Sequence, residues 1–79
     1  MYAIVSADFK AVVAGTELEV TSTNALHITA ISGDCSIAIA SAGKGLPLFK
    51  GQSIDLAADT YYINASADCI ISVVEVTIT

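Results

Sequence analysis

The sequence predicts an all-β fold: a small antiparallel β-sandwich, jelly-roll-like, with two pseudo-repeated halves in a single domain over residues 1–79. Three observations predict it. Helix signals are nearly absent, and short runs rich in Val, Ile, Thr and Tyr alternate apolar with polar positions, the period of half-buried strands. At 79 residues the chain suits one domain. The third is a duplication. Gly15-Thr16-Glu17-Leu18-Glu19-Val20 leads to His27-Ile28-Thr29-Ala30-Ile31-Ser32-Gly33-Asp34-Cys35. Gly51-Gln52-Ser53-Ile54-Asp55-Leu56 leads likewise to Tyr61-Tyr62-Ile63-Asn64-Ala65-Ser66-Ala67-Asp68-Cys69. A solenoid needs about three repeats or more, so two blocks fit a two-half sandwich whose halves each give strands to both sheets.

The elements follow in order. Residues 2–6 and 9–14 read as a strand pair, or as one strand with a bulge at Ala7-Asp8. In residues 16–22, Glu17, Glu19 and Thr21 face water while Leu18 and Val20 face inward. Residues 26–32 and 35–41 read as a hairpin over Gly33-Asp34, with glycine suited to a II′-type turn. Ser41-Ala42-Gly43-Lys44-Gly45 is a loop. Pro47 cannot donate to a ladder, so residues 46–50 belong at a sheet edge. Residues 52–56 repeat the alternation of 16–20, and residues 61–66 and 69–78 form a last hairpin.

That last strand breaks phase. Its inward set, by analogy with Cys35, Ile37 and Ile39, is Cys69, Ile71 and Val73, yet Val74, Val76 and Ile78 are apolar on the opposite parity. Either a bulge near Val73-Val74 resets the phase, or both faces are buried and Val74, Val76 and Ile78 form a subunit interface. Composition supports an interface. The chain is 54% hydrophobic and only 14% charged, more apolar surface than one small core hides. A homo-oligomer is therefore expected. No stretch approaches the ~18 continuous apolar residues of a spanning helix, so no membrane role is expected. A net charge of −5, three lysines and no arginine argue against nucleic-acid binding.

Chemistry is hard to find. No catalytic, metal or cofactor-binding set is expected, and an enzyme is not the expected reading. His27 is the only histidine and reads as structural. Gly43-Lys44-Gly45 lacks the length and the Ser/Thr of a phosphate loop. Glu17, Glu19 and Asp55 read as solvating carboxylates rather than a calcium or glycosidase pair. Asp34, Asp59 and Asp68 read as turn formers. Cys35 and Cys69 occupy equivalent places in the blocks. Buried free thiols, a disulfide between the halves and a metal or catalytic pair all remain open. Tyr61 and Tyr62 are candidate ligand-contact aromatics, although adjacent strand positions let only one point outward.

The segment LPLFKGQSIDLAADTYYINASADCIISVVEV, residues Leu46–Val76, resembles the small β-sandwich virion proteins of tailed bacteriophages, most closely the capsid decoration, or cement, proteins. The resemblance implies a non-enzymatic protein without a cofactor. Such a protein forms a homo-oligomer, often a trimer, and binds across neighbouring major capsid proteins. It is made in the host cytoplasm and placed on the capsid surface of the virion. A receptor- or glycan-binding module, such as a fibre tip, is the alternative expectation.

Overall fold

The computed structural model describes residues 2–41 and 45–78. Its strands are β1 (Tyr2–Val12), β2 (Glu17–Thr21), β3 (Ala25–Ala30), β4 (Cys35–Ala38), β5 (Leu46–Leu48), β6 (Ser53–Leu56), β7 (Thr60–Asn64) and β8 (Cys69–Ile78). They form two four-stranded antiparallel sheets, ordered β1-β8-β3-β6 and β2-β7-β4-β5. This is jelly-roll connectivity: most successive strands change sheet. Exchanging β1 with β5, β2 with β6, β3 with β7 and β4 with β8 turns one strand order into the other. The duplicated blocks thus interchange the sheets about a pseudo-twofold axis.

The turns obey the same exchange. Thr16 N–H donates to Val13 O at 3.0 Å, and Gln52 N–H to Phe49 O at 2.9 Å. Gly15 (φ 77°) and Gly51 (φ 85°) hold the third position of these turns, where positive φ is required. Gly15 N–H then reaches Ala65 O at 3.3 Å and Gly51 N–H reaches Ala30 O at 2.8 Å, acceptors one residue out of step with each other in the duplication. The hinge aspartates complete the exchange. Asp68 Oδ1 accepts from Ala14 N–H and Asp34 Oδ1 from Lys50 N–H, both at 2.8 Å. Each half clamps the glycine turn of the other.

Neither expected hairpin forms. β3 and β4 lie in different sheets, as do β7 and β8. The reason is the shared parity of the inward sets. Leu26, Ile28 and Ala30 need cover from an opposing sheet, which Cys35 and Ile37 help to supply only if the chain crosses over. Residues 31 and 32 begin that crossing: both amides donate to Ile70 O, at 2.9 and 3.2 Å, and Ser32 Oγ accepts from Ile70 N–H at 3.0 Å. Gly33 (φ 137°) then passes so close to Cys69 that a Cβ would stand 3.0 Å from the cysteine Cβ.

β1 is one continuous strand, and its irregularity falls between Ile4 and Ser6 rather than at Ala7-Asp8. No bulge occurs near Val73-Val74: β8 stays in register with β3 from Ile71 to Val76. β5 carries Pro47 at the edge of its sheet, as expected. Of the expected loop over residues 41–45, residues 42–44 lie outside the described residues.

One core layer fills the sandwich. Leu26, Ile28, Ile71 and Val12 of the first sheet meet Ile63, Ile37, Leu48 and Val20 of the second. Full burial of such a side chain contributes about 1.5–3 kcal/mol. Cys35 and Cys69 are free and buried, one on each sheet. The body spans 37 × 23 × 16 Å, thin enough that no second core layer exists to hide further apolar residues.

Candidate functional site

The two outer faces of the sandwich differ in chemistry. Register places Glu17, Glu19, Thr21, Thr60, Tyr62, Asn64, Ser36 and Pro47 on the outer face of the second sheet, a polar surface. Ser41 Oγ donates to Glu17 Oε1 at 2.6 Å, so the chain after β4 reaches back across that face.

The outer face of the first sheet divides along its length. Over β3 and β6 it is polar and cross-linked. His27 and Asp55 stand opposite in register, with Nδ1 and Oδ1 2.6 Å apart, and Thr29 Oγ1 lies 2.8 Å from Ser53 Oγ. Over β1 and β8 it is apolar. Ile70, Val74 and Val76 share this face with Ile4, Ala7, Phe9 and Ala11, and Ser72, the register partner of Phe9, is its one polar interruption on β8. Phe9 is 75% exposed and Ile4 72%.

The parity of β1 makes this face unusual. Val12 is buried against the core, which fixes the even-numbered residues from Ser6 to Val12 on the inner side. Ser6, Asp8 and Lys10 therefore point toward the gap between sheets, and Phe9 points to solvent. These polar residues, with Glu19, Thr21, Val73 and Glu75, line an open groove of about 250 Å³. Ser6 Oγ donates to Glu75 Oε2, its register partner on β8, at 3.2 Å along one wall. A strand whose polar side lines a groove and whose phenylalanine faces water inverts the usual arrangement.

The expected interface residues Val74 and Val76 both lie on this apolar face, half-buried by their own neighbours. The backbone of Ile78 pairs with Tyr2, and its side chain lies outside the described residues. The inner face of β8 packs in the core, and within the chain its outer face is only half covered at Val74 and Val76. Ile4 and Phe9 extend the face and were not anticipated. The alternation Phe9-Lys10-Ala11 was visible, but it points the polar side outward unless Val12 is known to be buried.

The aromatic pair separates. Tyr61 is in the core, its hydroxyl donating to Ala57 O at 2.7 Å, and burial next to Asp59 raises its pKa. Only Tyr62 faces outward, half-buried and opposite Glu19 and Ala38. Asp34, Cys35, Ser36, Asn64, Ala65 and Ser66 line an open cleft of about 400 Å³. Its thiol is a poor nucleophile. Burial first, then the neighbouring Cys69 and Asp34, pushes the Cys35 pKa up to about 11. Burial and the nearby aspartates also raise Cys69. His27 cannot serve Cys35 as a base, since it lies on the outer face of the other sheet. Asp34 and Asp68 are occupied as turn clamps, and Asp59 Oδ1 accepts from Thr60 N–H at 2.7 Å. Among the described residues, no group of three or more His, Cys, Asp or Glu side chains is placed to hold a metal ion. Among the same residues, no helix is long and apolar enough to cross a membrane. No family model matches the chain, and no curated protein matches it.

Proposed function

We propose that this chain is a structural virion protein that associates with itself and binds across neighbouring major capsid proteins of a tailed-phage shell, as a decoration or cement protein. One observation carries the reading: the apolar face of β1 and β8, with Phe9 and Ile4 largely exposed on a body too thin to absorb them. Exposed apolar patches of this kind mark protein–protein contact. A jelly roll supports such a role without requiring it, since the fold also serves unrelated functions. The mechanism is mass action: a protein that binds only the assembled shell stabilises it against opening. The glycan-binding alternative is less favoured, because Tyr61 is committed to the core.

The test is co-sedimentation with shells assembled from the major capsid protein of the same genome, followed by their heat disruption. Saturable binding with a rise in the disruption temperature is expected. Absence of binding to both immature and expanded shells rejects the capsid reading.

A further inference from the structure

The apolar face does not end at a finished boundary. β1 is the edge strand of its sheet, so along one side its backbone N–H and C=O groups have no ladder partner. Natural proteins blunt such edges with proline, short strands, a covering loop, bulges, lysines or inward-pointing charges. β1 runs 11 residues, contains no proline and is exposed from Ala3 to Ala11; its only blunting devices are the irregularity between Ile4 and Ser6 and the inward charges Asp8 and Lys10. Its charges are few and ordered. Asp8 and Lys10 flank Phe9 on the inner side; their backbones pair with Val73 and Ile71, and their side chains reach no ion-pair partner among the described residues.

We infer that β1 pairs antiparallel with β1 of a second copy about a twofold axis at Phe9, joining two four-stranded sheets into one of eight strands. The sequence of the strand is self-complementary in this register. Phe9 faces its own copy, Ala7 faces Ala11, and Asp8 of each chain stands opposite Lys10 of the other. The twofold axis makes each contact occur twice, as an isologous interface requires. Directly opposed unlike charges stabilise a cross-strand pair, and opposed phenylalanines pack on the same face. Shifting the register by two residues in either direction separates Asp8 from Lys10, so the charges select the axis. Their position also explains the inverted parity of β1. The charges meet at the groove, while the outer side of the joined sheet becomes a largely apolar surface centred on the two Phe9 rings and flanked by Ala7, Ala11, Val74 and the polar Ser72.

The inference rests on the self-association in the proposed function, but its test needs no capsid. Sedimentation equilibrium of the full chain gives the dimer dissociation constant, and far-ultraviolet circular dichroism checks the fold of each variant. Asp8→Lys and Lys10→Asp each place like charges opposite one another twice, and each is expected to weaken the dimer about tenfold or more. The double variant Asp8→Lys/Lys10→Asp restores unlike pairs and is expected to recover most of the affinity. A wild-type monomer at millimolar concentration overturns the inference, as does a trimer, whose threefold axis cannot relate two antiparallel copies of β1. So does a dimer indifferent to the single reversals, or one that the double variant fails to rescue. If these variants behave as expected and shells are not bound, the dimer stands and the capsid reading falls.

Discussion

The Asp68 carboxylate accepts a hydrogen bond from the backbone amide of Ala14, 54 residues earlier, at 2.8 Å. Asp34 makes the equivalent bond to Lys50. A charge-assisted bond to a backbone amide contributes about 1.5–3 kcal/mol when sheltered and less at an exposed turn. Asp34→Ala and Asp68→Ala are therefore each expected to cost on the order of 1 kcal/mol in urea unfolding. Asn at either site keeps an acceptor oxygen and should recover most of the loss. A large cost for one and none for the other would refute the equivalence of the two clamps.

The buried thiols predict a weakness at high pH. Unfolded, Cys35 titrates in the ordinary thiol range near 9; folded, it holds its proton to about 11. Between those values the unfolded chain binds fewer protons, so stability falls as pH rises. The stability that the neutral thiol contributes is whole below pH 9 and is lost through pH 11, a change on the order of 2 kcal/mol. Urea titrations from pH 8 to pH 11 should show this decline, and Cys35→Ala, though less stable at neutral pH, should flatten it. Equal slopes in the two proteins would remove Cys35 as the cause.

The thiols also predict a reactivity pattern. Both are free and buried. A thiol reagent without reductant should label neither in the native protein at pH 7 and both after denaturation. Labelling of the native protein at pH 7 would contradict their burial.

Core and face isoleucines should separate stability from association. Ile28 is fully buried and Ile4 is 72% exposed. Ile28→Ala is expected to cost about 2–5 kcal/mol in unfolding. Ile4→Ala should leave the unfolding of the monomer within about 0.5 kcal/mol of wild type. Val76→Asp places a charge on the apolar face and should change the mass measured by light scattering, either by weakening association or by exposing the face to aggregation. An unchanged mass would show that this stretch of β8 lies outside any interface.

The two tyrosines give opposite expectations. Tyr61→Phe removes a buried hydroxyl from Ala57 O and should cost about 0.5–1.5 kcal/mol. Tyr62→Ala should leave the fold intact, and a glycan array of that variant tests the fibre-tip alternative. Specific glycan binding by wild type that Tyr62→Ala abolishes would favour a binding module over a cement protein.

Much of the fold was readable in the sequence because burial repeats with period two. Leu18, Val20, Cys35, Ile37, Cys69, Ile71 and Val73 all face the core as their alternation predicts, whereas Ile39, expected inward with them, lies just past the end of β4 and is 77% exposed. The pairing of strands was not readable. A Gly33-Asp34 turn looks the same whether the chain folds back beside itself or crosses to an opposing sheet, since both place Leu26 and Cys35 on apolar surfaces. Only the need of each inward set for an opposing layer separates the two. The site was half readable. Val74 and Val76 betrayed themselves by breaking phase, whereas Phe9 and Ile4 hid behind an ordinary alternation. The partnership of His27 with Asp55 depends on the register of β3 against β6, which no local pattern specifies.

The register that sets Tyr2 opposite Ile78 has a consequence for how the molecule can be built. Under the pseudo-twofold exchange, the neighbours β8 and β1 correspond to the neighbours β4 and β5, which a loop connects. The start of β1 and the end of β8 thus occupy the place of the β4–β5 connection. Linking them with a short peptide and opening the backbone between β4 and β5 would give a circular permutant with the same sheets and the same core. Cut at both places, the protein becomes two peptides of about half length, neither with a complete sheet, each able to fold only by giving its strands to the other.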